Sequence, residues 1–275
     1  MQTQNTHLNL KNYWTCSDSL SEETPIVFLH GFTGLASDWE CLWQNLPTVK
    51  KLALDLPGHG TNPQNDCHFE AMAAQFWQDL DDMHIHKIHL VGYSMGGRLA
   101  LYLAVMFPKR IQSVVIISGS PGLQDPAERE SRRQADELLA MRLEAEGLAV
   151  FLQQWYQQEL FAGLRQWQGF EVLMQSKLNS HQATRLAQSL RHAGTGVAPS
   201  MWSHLSELHV PALFISGKSD TKFCQLGQQM QSLCPNSDYK TAPGGHAPHL
   251  ESARELGSLL KLIWISFTTE EMNHL

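Results

Sequence analysis

The sequence is short of charge: of its 275 residues 17% are Asp, Glu, Lys or Arg, and these carry a formal net charge of -7. No broad positive field is available to hold a polyanion, which argues against a nucleic-acid partner. Cysteine is scarce. Cys16, Cys41, Cys67, Cys224 and Cys234 are odd in number and scattered, and no C-x-x-C pair suggests zinc or a redox couple. They are expected as thiols in a reducing cytoplasm. Long apolar runs are missing too: the most apolar stretch, residues 256–267, contains Lys261 and is too short for a hydrocarbon core of about 30 Å. It reads as a closing amphipathic helix, so no membrane insertion is expected. Residues 1–14 lack an apolar h-region and a cleavage signal and are expected to begin the mature protein. No internal repeat or low-complexity tract appears, and residues 268–275 read as a loose polar tail.

Hydrophobic residues make up 43% of the chain, enough for an ordinary globular core. Apolar runs at 26–30, 52–55, 88–93 and 113–118 are separated by segments of helical length, as parallel strands with crossovers require. They are rich in Val, Ile and Leu without alternation, which fits strands covered on both faces. From 124 to 205 the strands vanish and Gln, Arg, Leu and Ala dominate, with Leu138, Met141, Leu148, Phe151 and Leu152 at helical spacing. The β-rich pattern resumes at 212–216. The reading is an α/β chain with a core of residues 1–123 and 206–275 and a helical cap insertion over 124–205.

The strongest local signal is Gly92-Tyr93-Ser94-Met95-Gly96, a G-x-S-x-G between a strand and a helix-like run. Its glycines relieve crowding in a sharp strand-to-helix turn that lifts the serine hydroxyl clear of the sheet edge. Serine is a poor nucleophile or base alone; it needs a histidine, and the histidine needs a carboxylate to fix its tautomer. Asp220, after the turn Gly217-Lys218-Ser219, and His246, in Pro243-Gly244-Gly245-His246, follow in chain order. Asp238 and His249 are the alternatives. The amide of Met95 and that of Phe32, in the loop His30-Gly31-Phe32, are the expected oxyanion donors. The histidine run His84, His86, His89 lacks a carboxylate or cysteine at ligand spacing, so no metal site is expected there or elsewhere.

These residues resemble the α/β-hydrolase family over almost the whole chain, through Phe28-Leu29-His30-Gly31-Phe32, Asp55-Leu56-Pro57-Gly58-His59-Gly60, Gly92 to Gly97, Ser219-Asp220 and Gly245-His246. Within it the chain resembles the 2-succinyl-6-hydroxy-2,4-cyclohexadiene-1-carboxylate synthases of menaquinone biosynthesis, through Val91 to Arg98, Ser120-Pro121-Gly122-Leu123 and Trp155-Tyr156-Gln157-Gln158. That resemblance implies a cofactor-free lyase, with Ser94 as a base assisted by His246 and Asp220. It implies a small anionic, carboxylated substrate, for which Arg98 and Arg132 are expected contacts because a guanidinium binds carboxylate in bidentate fashion. Arg129 and Arg133 flank Arg132 in the same basic cluster. Trp155 matches a cap tryptophan, Lys177 stands near a family arginine, and Tyr93 is placed either to donate its hydroxyl to substrate or to pack in the core. A monomer or small homo-oligomer is expected. A serine hydrolase acting on an ester or carbon–carbon bond, and a binding protein without chemistry, are the competing readings.

Overall fold

The computed structural model describes residues 10–17, 21, 23–46 and 48–261. Seven strands form one sheet in the order β1-β3-β2-β4-β5-β6-β7. They are β1 (Trp14–Cys16), β2 (Ile26–Leu29), β3 (Lys51–Leu54), β4 (Ile88–Tyr93), β5 (Ile111–Ile117), β6 (Ala212–Gly217) and β7 (Ser237–Ala242). All neighbours pair in parallel except β1 with β3. The short helix α1 (Glu40–Trp43) follows β2, and α2 (Phe69–Asp82) and α3 (Met95–Met106) follow β3 and β4.

Side chains alternate between two buried layers. Val27, Leu29, Leu90, Val114 and Ile116 face one apolar cluster, and Ile26, Phe28, Val91, Val115 and Ile117 face the other. Because both faces are covered, the central strands read as unbroken apolar runs rather than alternating ones. The edge strand β7, Ser-Asp-Tyr-Lys-Thr-Ala, is largely solvent-facing and carries no such run.

Between β5 and β6 the described chain is helical: α4 (Pro126–Glu146), α5 (Leu148–Trp155), α6 (Ala162–Gln166), α7 (Phe170–Ser180) and α8 (Ala183–Ala193). Asp125 caps α4 by accepting the N–H of Glu128, with Pro126 at the first helical position. The face that α4 buries is Asp136, Ala140 and Leu143, at i, i+4 and i+7. Leu138 and Met141 are 62% and 54% exposed on the other side. Phe151 and Leu152 are buried. After β6 come α9 (Thr221–Leu233), α10 (Pro248–Glu251) and a helical run over 253–261. The closing amphipathic helix is therefore present as far as 261. Residues 262–267 of it, the polar tail and the first nine residues lie outside the described residues. No helix among the described residues is long and apolar enough to cross a membrane.

Candidate active site

Strand register brings the reactive groups to one edge. Leu29 pairs with Gly92, Gly92 with Ile116, Ile117 with Ile215, and Gly217 with Ala242. The residues that follow these carboxyl ends therefore emerge together, where open α/β sheets bind their ligands.

Ser94 leaves β4 with φ 51° and ψ -109°, a sparsely populated conformation for a residue with a Cβ, and α3 starts at the next residue. Its N–H donates to the Ile117 carbonyl at 2.9 Å, anchoring the turn to β5. The flanking glycines are required by contact: a Cβ on Gly92 would stand 2.3 Å from the Gly96 carbonyl, and one on Gly96 the same distance from that of Leu29. His246 Nε2 lies 3.2 Å from Ser94 Oγ, and its Nδ1 lies 2.7 Å from Asp220 Oδ2. Asp220 is also the N-cap of α9, accepting the Phe223 N–H. The helix start thus favours the charged carboxylate. The His246 loop is held by Glu251, which accepts the N–H groups of Gly245 at 2.7 Å and Ala247 at 3.0 Å.

The alternatives are engaged elsewhere. Asp238 is exposed and paired with Lys240 at 2.7 Å. His249 is buried between Tyr93 and Trp39, ring centroids 4.2 and 4.7 Å away, and burial drives its pKa to about 3. In the histidine run, His84 and His86 are exposed, and His89 is buried against the Ser113 hydroxyl at 2.8 Å.

The amides of Phe32 and Met95 donate to no other group among the described residues. Met95 opens α3, where the first N–H groups have no intrahelical acceptor. For Phe32 the orientation comes from its neighbour. The Gly31 carbonyl accepts from His30 Nδ1 at 2.7 Å and from the Gly34 N–H at 2.9 Å, and a trans peptide points the Phe32 N–H the opposite way. His30 Nε2 in turn accepts the Leu56 N–H at 2.8 Å, so both ring nitrogens are committed, and burial keeps the ring neutral with a pKa near 3.

Thr33, next in the loop, has φ 63° and is held on three sides. Its N–H donates to His59 Nε2 at 3.2 Å, its carbonyl accepts from His181 Nε2 at 3.0 Å, and its hydroxyl meets the Tyr156 hydroxyl at 2.8 Å. His181 and Tyr156 belong to the helical segment between β5 and β6. Sequence reasoning missed them: polar residues 148 and 123 positions away along the chain give no local signal of a shared contact.

Lys177 is a correction to the expected substrate contacts. Its ammonium is 1% exposed and paired with Asp38, whose carboxylate also caps the Leu35 N–H at 2.9 Å. Burial lowers its pKa, and the nearby carboxylate opposes that shift. This lysine ties α7 to the loop after β2 and is not free to meet a ligand. Tyr93 is buried, with its ring 5.4 Å from that of His246, and Gly31 leaves room for it, since a Cβ there would lie 2.7 Å from the Tyr93 ring. Trp155 is half-buried, edge-on to Phe32 at 5.1 Å, with its indole N–H buried and unpaired among the described residues.

Two cavities flank the pair His246 and Asp220. One, of about 390 Å³, is lined by Arg98, Arg132 and Lys222 together with Asp125, Glu128 and Trp202, and lies across Phe223 from His246, the Phe223 ring being 4.5 Å from the imidazole. Arg98 donates to the Ala193 carbonyl at 3.2 Å and leaves Nε buried without a partner among the described residues. Burial, with the charge of Arg132 close by, lowers its pKa to about 10. Arg132 holds Asp136 at 2.8 Å. Of its neighbours, Arg129 donates to the carbonyls of Leu123, Val197 and Ala198, and Arg133 pairs with exposed Glu130. Arg132 alone of the three lines this cavity. The other cavity, about 510 Å³, is lined by Glu159, Glu251, Asp220 and His246. The first holds three cations against the carboxylates of Asp125 and Glu128, and the second holds three carboxylates and no Lys or Arg among the described residues, so the first suits a carboxylated ligand better.

The chain belongs to the α/β-hydrolase fold family, whose model matches residues 24–253. Within that family it is similar to the 2-succinyl-6-hydroxy-2,4-cyclohexadiene-1-carboxylate synthase of Serratia proteamaculans (strain 568), 36% identical over 73% of this chain and 79% of the relative. The synthase of the same name from Escherichia coli O1:K1 / APEC is 32% identical over 86% of this chain and 93% of its own. Among solved structures, MenH from S. aureus superposes with a TM-score of 0.86 at 30% identity, covering 95% of this chain and all of that one.

Proposed function

We propose that this chain is a lyase of menaquinone biosynthesis that eliminates pyruvate from 2-succinyl-5-enolpyruvyl-6-hydroxy-3-cyclohexene-1-carboxylate, giving 2-succinyl-6-hydroxy-2,4-cyclohexadiene-1-carboxylate. The observation that carries the reading is a hydrogen-bonded Ser94–His246–Asp220 chain with, across Phe223, a cavity to which Arg98 and Arg132 contribute alongside Asp125 and Glu128. The names of the relatives agree with it.

Ser94 acts as the base in this reading. Its hydroxyl takes a ring proton while its own proton passes to His246 Nε2, and Asp220 stabilises the imidazolium. The C–H electron pair becomes a ring double bond and the bond to the enolpyruvyl oxygen breaks. The existing ring double bond shifts toward the leaving group, and the departing enolate takes the proton held by His246 and leaves as pyruvate, so the triad is restored and no cofactor or metal enters the balance. The Phe32 and Met95 amides hold the charge that develops, Arg98 and Arg132 hold substrate carboxylates, and the free indole N–H of Trp155 is a further donor. Residues 124–205 serve as the cap, and Tyr93 packs beneath the substrate. The enzyme works in the cytoplasm, as a monomer or small homo-oligomer.

A coupled assay for pyruvate release from the enolpyruvyl substrate tests the reading. Wild type should turn over, and Ser94→Ala should lose orders of magnitude while staying folded; pyruvate release unchanged in that variant removes the serine from the mechanism. The strained geometry of Ser94 equally suits a covalent nucleophile, so a serine hydrolase is the second reading. Mass spectrometry after exposure to an ester probe reports it as a lasting acyl adduct on Ser94. Binding without turnover on any substrate would leave the third, a binding protein.

A further inference from the structure

The helical segment between β5 and β6 meets the loop before α2 at side chains with no part in the chemistry above. Asp66 and His68 lie on that loop, His68 as the N-cap of α2, and His192 lies in the last turn of α8. Each offers one ligand atom, and these atoms are all within 4.8 Å of one another. The two imidazole rings stand 4.4 Å apart between centroids. Imidazoles sharing an ion at about 2.0–2.1 Å from each nitrogen hold their ring centres about 5 Å apart. Small side-chain rotations therefore convert the observed pair into a chelating one.

The hydrogen bonding around them favours the same outcome. His68 Nδ1 and Asp66 Oδ1 stand 2.7 Å apart, so a divalent ion would take the place of the proton they share and be held by both. His192 Nδ1 is buried and has no hydrogen-bond partner among the described residues, an uncompensated loss of hydration that a ligand would relieve. Its place at a helix C-terminus favours a positive charge.

We propose that Asp66, His68 and His192 bind one first-row divalent transition ion of the zinc class, with water completing the coordination, and that the ion clips the end of α8 to the loop before α2. Two nitrogens and one carboxylate oxygen suit such an ion and not Mg²⁺ or Ca²⁺, which take oxygen ligands. The site is independent of the reaction at Ser94.

The test is calorimetric titration of the full-length chain, without an affinity tag, with zinc chloride and separately with magnesium chloride. One equivalent of zinc should bind in the micromolar range and raise the melting temperature, with no heat from magnesium. His68→Gln and His192→Gln should each weaken zinc binding by about tenfold or more and remove the thermal shift. Both positions lie at or near the surface, and circular dichroism checks that the variants fold. Absence of saturable zinc uptake below millimolar concentration, or uptake unchanged in the double variant, overturns the proposal; the second result would assign the ion to other histidines.

Discussion

Arg98→Met should make the protein more stable and a worse enzyme, and the two effects have separate origins. In the free protein Arg98 is a desolvated cation beside a second cation, with one nitrogen unpaired among the described residues, and its pKa is lowered by about 2.5 units, to about 10. Each pKa unit is about 1.4 kcal/mol, which bounds the cost of the charge at about 3 kcal/mol; partial solvent access reduces this to about 1–3 kcal/mol. Methionine keeps the aliphatic packing and removes the charge. It also gives up the hydrogen bond to the Ala193 carbonyl, worth about 1 kcal/mol. The net gain, about 1 kcal/mol, corresponds to about 2–4 °C in Tm for a chain of this size. Loss of a desolvated charge pair with a substrate carboxylate should cost about 2–5 kcal/mol of binding, raising KM by about thirtyfold or more. Thermal melts with and without added dicarboxylate, beside steady-state pyruvate release, read both. A dicarboxylate should raise the Tm of the wild type and leave the variant unmoved. A variant that melts several degrees lower with an unchanged KM would show that the cation supports the fold and does not bind substrate.

Acid should unfold the protein early. His30, His181 and His249 are held by burial at a pKa of about 3 and His89 at about 4, so the folded state stays neutral at these sites while the unfolded chain takes up protons below about pH 6.5. The stability they allow is whole above that pH and falls by about 1.4 kcal/mol per histidine per pH unit down toward the folded values, so circular dichroism should show unfolding between about pH 4 and 5; a native signal at pH 3.5 would contradict the burial argument. Tyr156→Phe and His181→Gln release Thr33 and should lower kcat by about ten- to a hundredfold with little change in KM, since the oxyanion amide moves and the arginine wall does not. Equal loss in both parameters would indicate general damage to the cap. Deuteration of the ring carbon that loses its proton should give a primary isotope effect on kcat/KM, which a hydrolytic reaction, breaking no ring C–H bond, would lack.

Much of this site is legible in the sequence because its key parts are local. A buried parallel strand needs an apolar run, a sharp turn onto a helix needs small residues about the serine, and both appear within residues 88–97. Asp220 and His246 follow strand ends for the same reason and meet Ser94 in space. What escaped is tertiary. β1 is three residues long and β7 alternates polar side chains at the sheet edge, so neither yields an apolar run. Lys177 reads as another basic residue of a helical insertion until Asp38, 139 positions earlier, is seen to neutralise it. Leu138 and Met141 fit a helical period as well as the buried residues of α4 do, and only packing decides which stripe turns inward.

The placement of charge around the triad bears on how one fold serves different reactions. The Ser–His–Asp chain is indifferent to whether its serine removes a proton or attacks a carbonyl; the choice falls to the atom that the pocket presents to Ser94 Oγ. Here the cationic wall is fixed by contacts the core and helical segment share: Arg98 rises from α3 one turn after the serine, Arg132 comes from α4, and Arg98 reaches the carbonyl at the end of α8. The same helical segment holds Thr33 through His181 and Tyr156, beside the Phe32 amide. On the proposed reading, carboxylate capture and oxyanion geometry therefore depend on one docked unit. A hydrolase could discard that coupling and keep its triad, whereas an elimination needs the ring carbon held over the serine while charge develops elsewhere on the substrate. That need gives a reason for two mutually repelling arginines to be kept at a cost in stability.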